Sequence, residues 1–204
     1  MSTARTHLLG YKIAKIEEKK KGQASFLLIE NPKDKGKQPI IAACSAFGDA
    51  AEKAMKLKNG DFVEAEAVIS SYIAGGSFRN SYKVNGITSL DGKISSLNRT
   101  VFIDYKVLGI PESFEHLDKV FFTLLEATPI KGKPPVKVEC AAYGDMAEKM
   151  KKLKIRNGSR VEVSTLAQSY RRKENLLSSY KVTDISILSD LEYASRKDKN
   201  MEDQ

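Results

Sequence analysis

The sequence predicts a mainly β protein in which one unit of five strands and a short helix occurs twice. The first observation is a repeat. Residues 44–90 and 140–188 align throughout, at an offset of 96 that becomes 98 after an inserted pair, Ile155-Arg156. The second is the order of patterns in each copy, which is three strand-like segments, one helical segment and two further strand-like segments. So long a period indicates two domains rather than a solenoid.

The first three segments of each copy alternate between apolar residues and polar or small ones, which is typical of strands. In the first copy they cover residues 9–13, 25–30 and 40–47, and in the second copy residues 103–107, 119–126 and 136–143. Turn-rich stretches with Gly and Pro separate the second segment from the third in both copies. Each copy therefore begins with three strands.

The helical segment follows the third strand. Residues 49–58 and 145–154 are rich in helix formers, begin with Asp and end with Lys, as the helix dipole favours. Asn59-Gly60 and Asn157-Gly158 close the two helices. Capping accounts for the acids at the helix starts, Asp49, Glu52, Asp145 and Glu148, better than acid–base catalysis does.

Two strands complete each copy, at residues 61–71 and 81–90 and at residues 160–168 and 179–188. Three strands, a helix and two strands are the order of the OB-fold, a five-stranded Greek-key barrel with its helix between strands three and four. We therefore predict two tandem OB-folds, with domain 1 at residues 1–95 and domain 2 at 99–190. The charged residues 191–204 are expected to form a flexible tail.

Composition favours a partner with negative charge. The chain carries 34 Lys and Arg against 26 Asp and Glu, a formal net charge of +8, which suits nucleic acid but also serves solubility. Cys44 and Cys140 occupy the same repeat position after a strand, which favours buried reduced thiols in a cytosolic protein. No apolar run reaches membrane-spanning length and the N-terminus is no signal peptide, so we expect a cytoplasmic protein without a membrane partner.

Several motifs of the repeat resemble the middle of bacterial single-stranded DNA-binding proteins. That family combines an aromatic residue, Gly, Ala-Glu, a helix, a Lys-Gly turn, an alternating strand and a final Tyr-x-Val strand. The matching stretches are Phe47-Gly-Asp-Ala-Ala-Glu52, Lys58-Asn-Gly-Asp-Phe-Val-Glu64 and Tyr82-Lys-Val84, and then Tyr143-Gly-Asp-Met-Ala-Glu148, Arg156-Asn-Gly-Ser-Arg-Val161 and Tyr180-Lys-Val182.

The resemblance implies sequence-tolerant binding of single-stranded DNA in replication, recombination or repair, without catalysis and, in a bacterium, with nucleoid association. It also implies a homodimer, because a chain with two OB-folds reaches the family's usual four as a dimer. The chain departs from the family in having no Trp and no acidic C-terminal tip. Recruitment of partner enzymes by the usual route is not expected, and a phage, mobile-element or specialised origin would fit.

Binding of single strands needs aromatic faces for bases and cations for phosphates. Phe47 and Tyr143 end the third strands at the family's stacking position, although they could equally pack in the core. Tyr82 and Tyr180 lie on the last strands, where either they or the adjacent lysines could face the groove. The other candidates are Lys83 and Lys181 on those strands and, in the loops after the fourth strands, Tyr72, Phe78, Arg79, Tyr170, Arg171, Arg172 and Lys173.

The sequence gives little reason to expect an enzyme. His7 and His116 are the only histidines and lack neighbours at metal-ligand spacing, and no nucleophile or phosphate-binding motif occurs. We therefore expect no metal and no cofactor. Two other hypotheses stay open: an RNA-binding OB protein, and a primosome-like or scaffold module that binds proteins, which the lack of Trp and the acids Glu64 and Glu66 would suit.

Overall fold

Within its described part the chain forms ten strands and two helices. The structure, a computed structural model, describes residues 2–32, 39–74, 77–92, 94–112, 114, 116–172 and 175–188, and only the backbone of residues 77, 78, 169–172 and 175–178. The elements in chain order are β1 (Thr3–Lys20), β2 (Gln23–Ile29), β3 (Ile41–Phe47), α1 (Asp49–Met55), β4 (Phe62–Ala74), β5 (Ser77–Ser89), β6 (Leu97–Leu108), β7 (Lys119–Glu126), β8 (Lys137–Tyr143), α2 (Asp145–Lys152), β9 (Arg160–Arg172) and β10 (Asn175–Ile187).

The strands close into two five-stranded barrels. The strands of the first barrel lie in the order β2-β3-β5-β4-β1, and pairing of β1 with β2 closes the barrel. Its parallel pair is formed by β3 and β5. The second repeats this arrangement with β7, β8, β10, β9 and β6, and β8 with β10 is its parallel pair. The predicted fold class, two tandem OB-folds with one helix between the third and fourth strands of each, is confirmed.

Strands β1 and β6 join the barrels edge to edge. They pair antiparallel over seven residues on each side, and Thr6 lies opposite Thr100. These two threonines are equivalent positions of the repeat, so an approximate twofold axis passes through the pair. The pairing makes one ten-stranded sheet, and the two edges that it covers are no longer available to another chain.

The two barrels share one core across this junction. Phe102 packs edge to face against Tyr105 and Tyr180, with centroid distances of 5.2 and 5.1 Å. The Tyr180 hydroxyl lies 3.3 Å from the Tyr82 hydroxyl of the other barrel. Burial raises the pKa of both phenols, so they stay neutral at physiological pH. The junction is therefore stabilised by packing as well as by the strand ladder.

A β-bulge occurs at the same place in β1 and β6. Gly10 and Asp104 are the bulged residues, with φ of 69° and 63°. Gly has no Cβ penalty in this left-handed region, and at Gly10 a Cβ would lie 3.0 Å from the Ile94 carbonyl oxygen. Asp tolerates the conformation better than most residues do. The second barrel thus has a carboxylate side chain, that of Asp104, where the first barrel has a glycine.

The Asp104 side chain is buried and fully engaged. It accepts a 2.7 Å hydrogen bond from Arg160 Nε and a second bond from the same guanidinium. Its Oδ2 lies 3.3 Å from both the Ser2 and the Thr128 hydroxyls. Because Ser2 Oγ also donates to the Asp104 carbonyl at 2.7 Å, this network fixes the start of β1 onto the second barrel.

The helices are shorter than the sequence predicts and are capped differently. Gly48 and Gly144 are the N-cap residues, and neither helix has a side-chain cap. Asp49 and Asp145 therefore do not act as caps. With Glu52 and Glu148 they lie in the first turns, where the helix dipole favours negative charge.

No helix in the described ranges has the length and apolar character needed to span a membrane.

Cys44 and Cys140 are free thiols in the two cores, as the sequence predicts. Their burial raises the pKa of Cys44 to about 12 and raises that of Cys140 as well. A thiol of this kind is almost entirely protonated at neutral pH, which makes it a poor nucleophile and metal ligand. The cysteines therefore serve as small core residues.

Candidate nucleic-acid interface

The outer face of the first barrel presents Phe47 at the end of β3. In β3 the residues Ala42, Cys44 and Ala46 point into the core, so alternation turns Phe47 outward, where its side chain is 47% exposed. Lys83 of β5 points to the same side, because it lies beside Ser45 in the parallel ladder. Its Nζ is 5.5 Å from the centre of the Phe47 ring. An exposed aromatic ring and an exposed cation therefore lie together.

The long β4–β5 hairpin extends this outer face. Tyr72 and Arg79 lie directly opposite each other in the ladder, and both side chains are exposed. Arg79 and Lys83 are four positions apart on β5, and residues an even number of positions apart share one side of a strand. The face therefore carries two aromatic rings and two cations on three neighbouring strands.

The second barrel presents its own cluster at the equivalent place. Tyr143 ends β8 as Phe47 ends β3, and its ring lies 6.3 Å from that of Phe121 at an angle of 82°. Phe121 is 63% exposed, and Lys119 Nζ lies 5.7 Å from the centre of the Tyr143 ring. Lys181, the counterpart of Lys83, is exposed on β10. We call Lys119, Phe121 and Tyr143 the second-barrel platform.

Phe121 and Lys119 were missed by the sequence analysis. The signal was present in β7, where Val120, Phe122 and Leu124 are buried, so the alternation places Lys119 and Phe121 outside. It was overlooked because Phe121 and Phe122 are adjacent, and a pair of aromatics in a strand does not show by itself which one faces the core. The structure resolves this, since Phe122 is buried and Phe121 is exposed, on the same side as Lys119 and its ladder partner Tyr143.

The tyrosines of the last strands lie on the other side of the sheet. Tyr82 and Tyr180 are only 7% and 3% exposed and point into the shared core, while the adjacent Lys83 and Lys181 are exposed. A buried ring has no free face for a base, so these two tyrosines do not contribute to the outer surface. The alternative of a core tyrosine beside a surface lysine is the arrangement found.

Some candidates of the two hairpins lie wholly or partly outside what the structure describes. Lys173 is among the residues not described, and for Phe78, Tyr170, Arg171 and Arg172 the description is limited to the backbone. The backbone of Tyr170 pairs with that of Leu177, as that of Tyr72 does with Arg79. These five residues remain predictions from the sequence.

A cleft of about 330 Å³ lies between the barrels. Lys83 and Asn85 line it from the first barrel, and Ile130 and Lys133 line it from the β7–β8 connection of the second. Because Lys83 also contacts Phe47, the cleft continues the outer face of the first barrel toward the second. No three metal-ligating side chains of the described residues lie together in a way that could hold an ion.

Solved structures with the same architecture include the wild-type single-stranded DNA binding protein from Thermus aquaticus. It superposes with a TM-score of 0.60 at 14% identity, over 92% of this chain and 93% of that one. The chain shares the fold of that DNA-binding protein. A deletion mutant of the same protein gives a TM-score of 0.60 at 13% identity, over 92% of this chain and 95% of that one. No family model and no curated protein matches the sequence.

Proposed function

We propose that the protein binds single-stranded DNA without regard to sequence and without catalysis. The observation that carries the proposal is the repeated pairing of an outward aromatic ring with a lysine, Phe47 with Lys83 and Tyr143 with Lys119. Base stacking and phosphate neutralisation are the two needs of a single-strand site. The full-length similarity in fold to a single-stranded DNA binding protein supports the same function.

In the proposed mechanism each ring accepts one base and the neighbouring lysine contacts that nucleotide's phosphate. Stacking is worth about 1–3 kcal/mol per base and tolerates any sequence, because every base has a π face. Each lysine ammonium would exchange its contact with the ring for one with a phosphate and release a counterion. In the first barrel, Tyr72 and Arg79 would hold the next nucleotides along the hairpin.

The proposed biological setting is DNA replication, recombination or repair in the cytoplasm, where such strands are exposed. We also propose the domain division made from the sequence, residues 1–95 and 99–190. RNA binding is the second candidate function, since the stacking rings and lysines would accept either nucleic acid. A protein-binding scaffold is the third, and it would not need exposed rings beside lysines.

Fluorescence anisotropy with labelled oligo-dT, a matched duplex and a matched RNA separates these functions. The proposal predicts tight binding to oligo-dT and weak binding to the duplex. Affinity for the single strand should fall as salt rises, with a slope of about −0.7 per neutralised phosphate in a plot of log K against log salt. Equal binding to duplex, or no binding to oligo-dT even at low salt, would contradict it, and a preference for RNA would favour the second function.

We further propose that two chains form a homodimer with four OB-folds. The outward side of β4, β1, β6 and β9 is not covered by any other described element, and it combines apolar residues such as Val101 and Ile103 with both signs of charge. His7 Nε2 lies 2.6 Å from Glu64 Oε1 on this side, and Arg5 and Arg99 line the adjoining groove. The approximate twofold axis at Thr6 and Thr100 relates the two halves of this surface, and an isologous dimer built on it would bring four barrels together around one contact.

Sedimentation of the wild type and of Val101→Arg tests this dimer. The wild type should sediment as a dimer, and the substitution should produce monomers because it puts an unpaired charge at the centre of the contact. The variant should keep its circular dichroism spectrum. Each variant chain should still bind oligo-dT through its two barrels, since Val101 lies away from Phe47 and Tyr143. A monomeric wild type would refute the dimer.

A further inference from the structure

The two barrels present unequal aromatic surfaces at equivalent positions. Gln23 pairs with Phe47 at one end of the β2–β3 ladder, and Lys119 pairs with Tyr143 at the same end of the β7–β8 ladder. Gln23 of the first barrel therefore corresponds to Lys119 of the second, and Phe47 corresponds to Tyr143. Two residues further along, Ser25 of the first barrel therefore corresponds to Phe121 of the second. The exposed ring of Phe121 thus replaces a small polar side chain, and an ammonium group replaces an amide.

From this we infer that the second-barrel platform is the primary contact for single-stranded DNA and that the first barrel binds second. The inference rests on the proposed function and deepens it, because it assigns an order and an affinity difference to the two barrels. Edge-to-face packing against Tyr143 holds Phe121 in place, so less side-chain freedom is lost when a base stacks. Two perpendicular rings also offer separate faces to two successive bases.

The charge around the platform supports the same order. Lys119 and Lys181 flank the two rings, and Lys137 is exposed further along β8. The corresponding positions of the first barrel hold Gln23, Lys83 and Ile41. At these three positions the second barrel therefore has two more cations than the first. Glu139 lies on the same face and reduces this difference without reversing it.

Oligo-dT length should reveal the order. An oligomer of about 8 nucleotides, within the usual site size of one OB-fold, should occupy the second barrel of each chain first. A longer oligomer would then reach the first barrel through the cleft lined by Lys83 and Lys133. Its second contact is intramolecular, so affinity should rise steeply with length.

Exchange of the differing residues provides the test, since Phe121→Ser and Ser25→Phe each introduce what the other barrel already has. We expect Phe121→Ser to weaken binding of the short oligomer by about 5- to 150-fold, the loss of one stacked base. Phe47→Ala should weaken the same complex by less than about 3-fold. Ser25→Phe should strengthen binding several-fold by giving the first barrel a second ring, and Ser25→Ala is its control and should change nothing.

The outcomes distinguish this inference from the function on which it rests. If the wild type binds oligo-dT but Phe121→Ser binds the short oligomer as tightly as the wild type, the unequal order is wrong and the function stands. The order is also wrong if Phe47→Ala causes the larger loss. If the wild type binds no single strand, the proposed function itself fails. Thermal unfolding should be unchanged in each of these variants, because all the substituted side chains are wholly or partly exposed.

Discussion

Replacing Phe47, Phe121 and Tyr143 together by alanine should weaken binding to long oligo-dT by at least about 100-fold. Each ring is expected to hold one base, and a stacked base contributes about 1–3 kcal/mol. Three lost stacks exceed about 3 kcal/mol, and every 1.4 kcal/mol is a tenfold change in affinity. The measurement is anisotropy at moderate salt, with the free energy of unfolding measured in parallel to exclude loss of the fold.

The matched control is Phe62→Ala. Phe62 also lies near a lysine, with Lys12 Nζ at 5.4 Å from its ring centre, but it begins β4 beside β1 rather than ending a hairpin on the binding face. Phe62→Ala should change the affinity for oligo-dT by less than about twofold relative to the wild type, because a ring contributes stacking energy only if a base reaches it. A control that lost as much affinity as the triple variant would mean that aromatic–lysine pairs act generally, and the proposed face would be wrong.

Asp104→Ala should destabilise the protein by about 2–3 kcal/mol. Removing one partner of a buried ion pair usually costs about 3–5 kcal/mol. A smaller value is expected here because Arg160 remains partly exposed. The substitution also deletes the acceptor for Ser2 and Thr128, and it places a Cβ without a compensating hydrogen bond at a positive φ. Urea unfolding at pH 7 measures the effect.

Asp104→Gly separates the backbone from the charge, because it restores the residue that the first barrel has at Gly10. It should be more stable than Asp104→Ala by about 0.5–1 kcal/mol, the expected relief of strain at a left-handed residue. Asp104→Asn should fall closer to the wild type, since it keeps the shape and part of the hydrogen bonding. An alanine variant as stable as the wild type would show that the network does not hold β1 on the second barrel.

The sequence predicted what local patterns determine. The order of strands and helices follows from hydrophobic periodicity. Because each element occurs twice in the repeat, the pattern in one copy supports the assignment in the other. Phe47 and Tyr143 were identified because they end alternating strands and match the aromatic position in the resemblance to single-stranded DNA-binding proteins. Their exposure was left open, because a residue at the end of a strand can turn either way.

The other features of the fold and the site depend on pairing between segments that are far apart in the sequence. The side of the sheet that Tyr82 and Tyr180 occupy depends on the register with β3 and β8, and a shift of one residue reverses it. The bonding of β1 to β6 joins residues that are 88 to 100 positions apart and leaves no local signature. The network around Asp104 was missed for the same reason, since its partners Ser2, Thr128 and Arg160 come from three separate parts of the chain.

Photo-crosslinking with oligonucleotides that carry 5-bromodeoxyuridine tests the central claim most directly. A base stacked on a ring reacts with it on irradiation, and mass spectrometry of the digested complex identifies the residue. Crosslinks should form at Phe121, Tyr143 and Phe47, with Phe121 and Tyr143 labelled first by short oligomers. The buried Tyr11, Tyr82, Tyr105 and Tyr180 should not react. Crosslinks confined to other surfaces, with none at these three rings, would contradict the account.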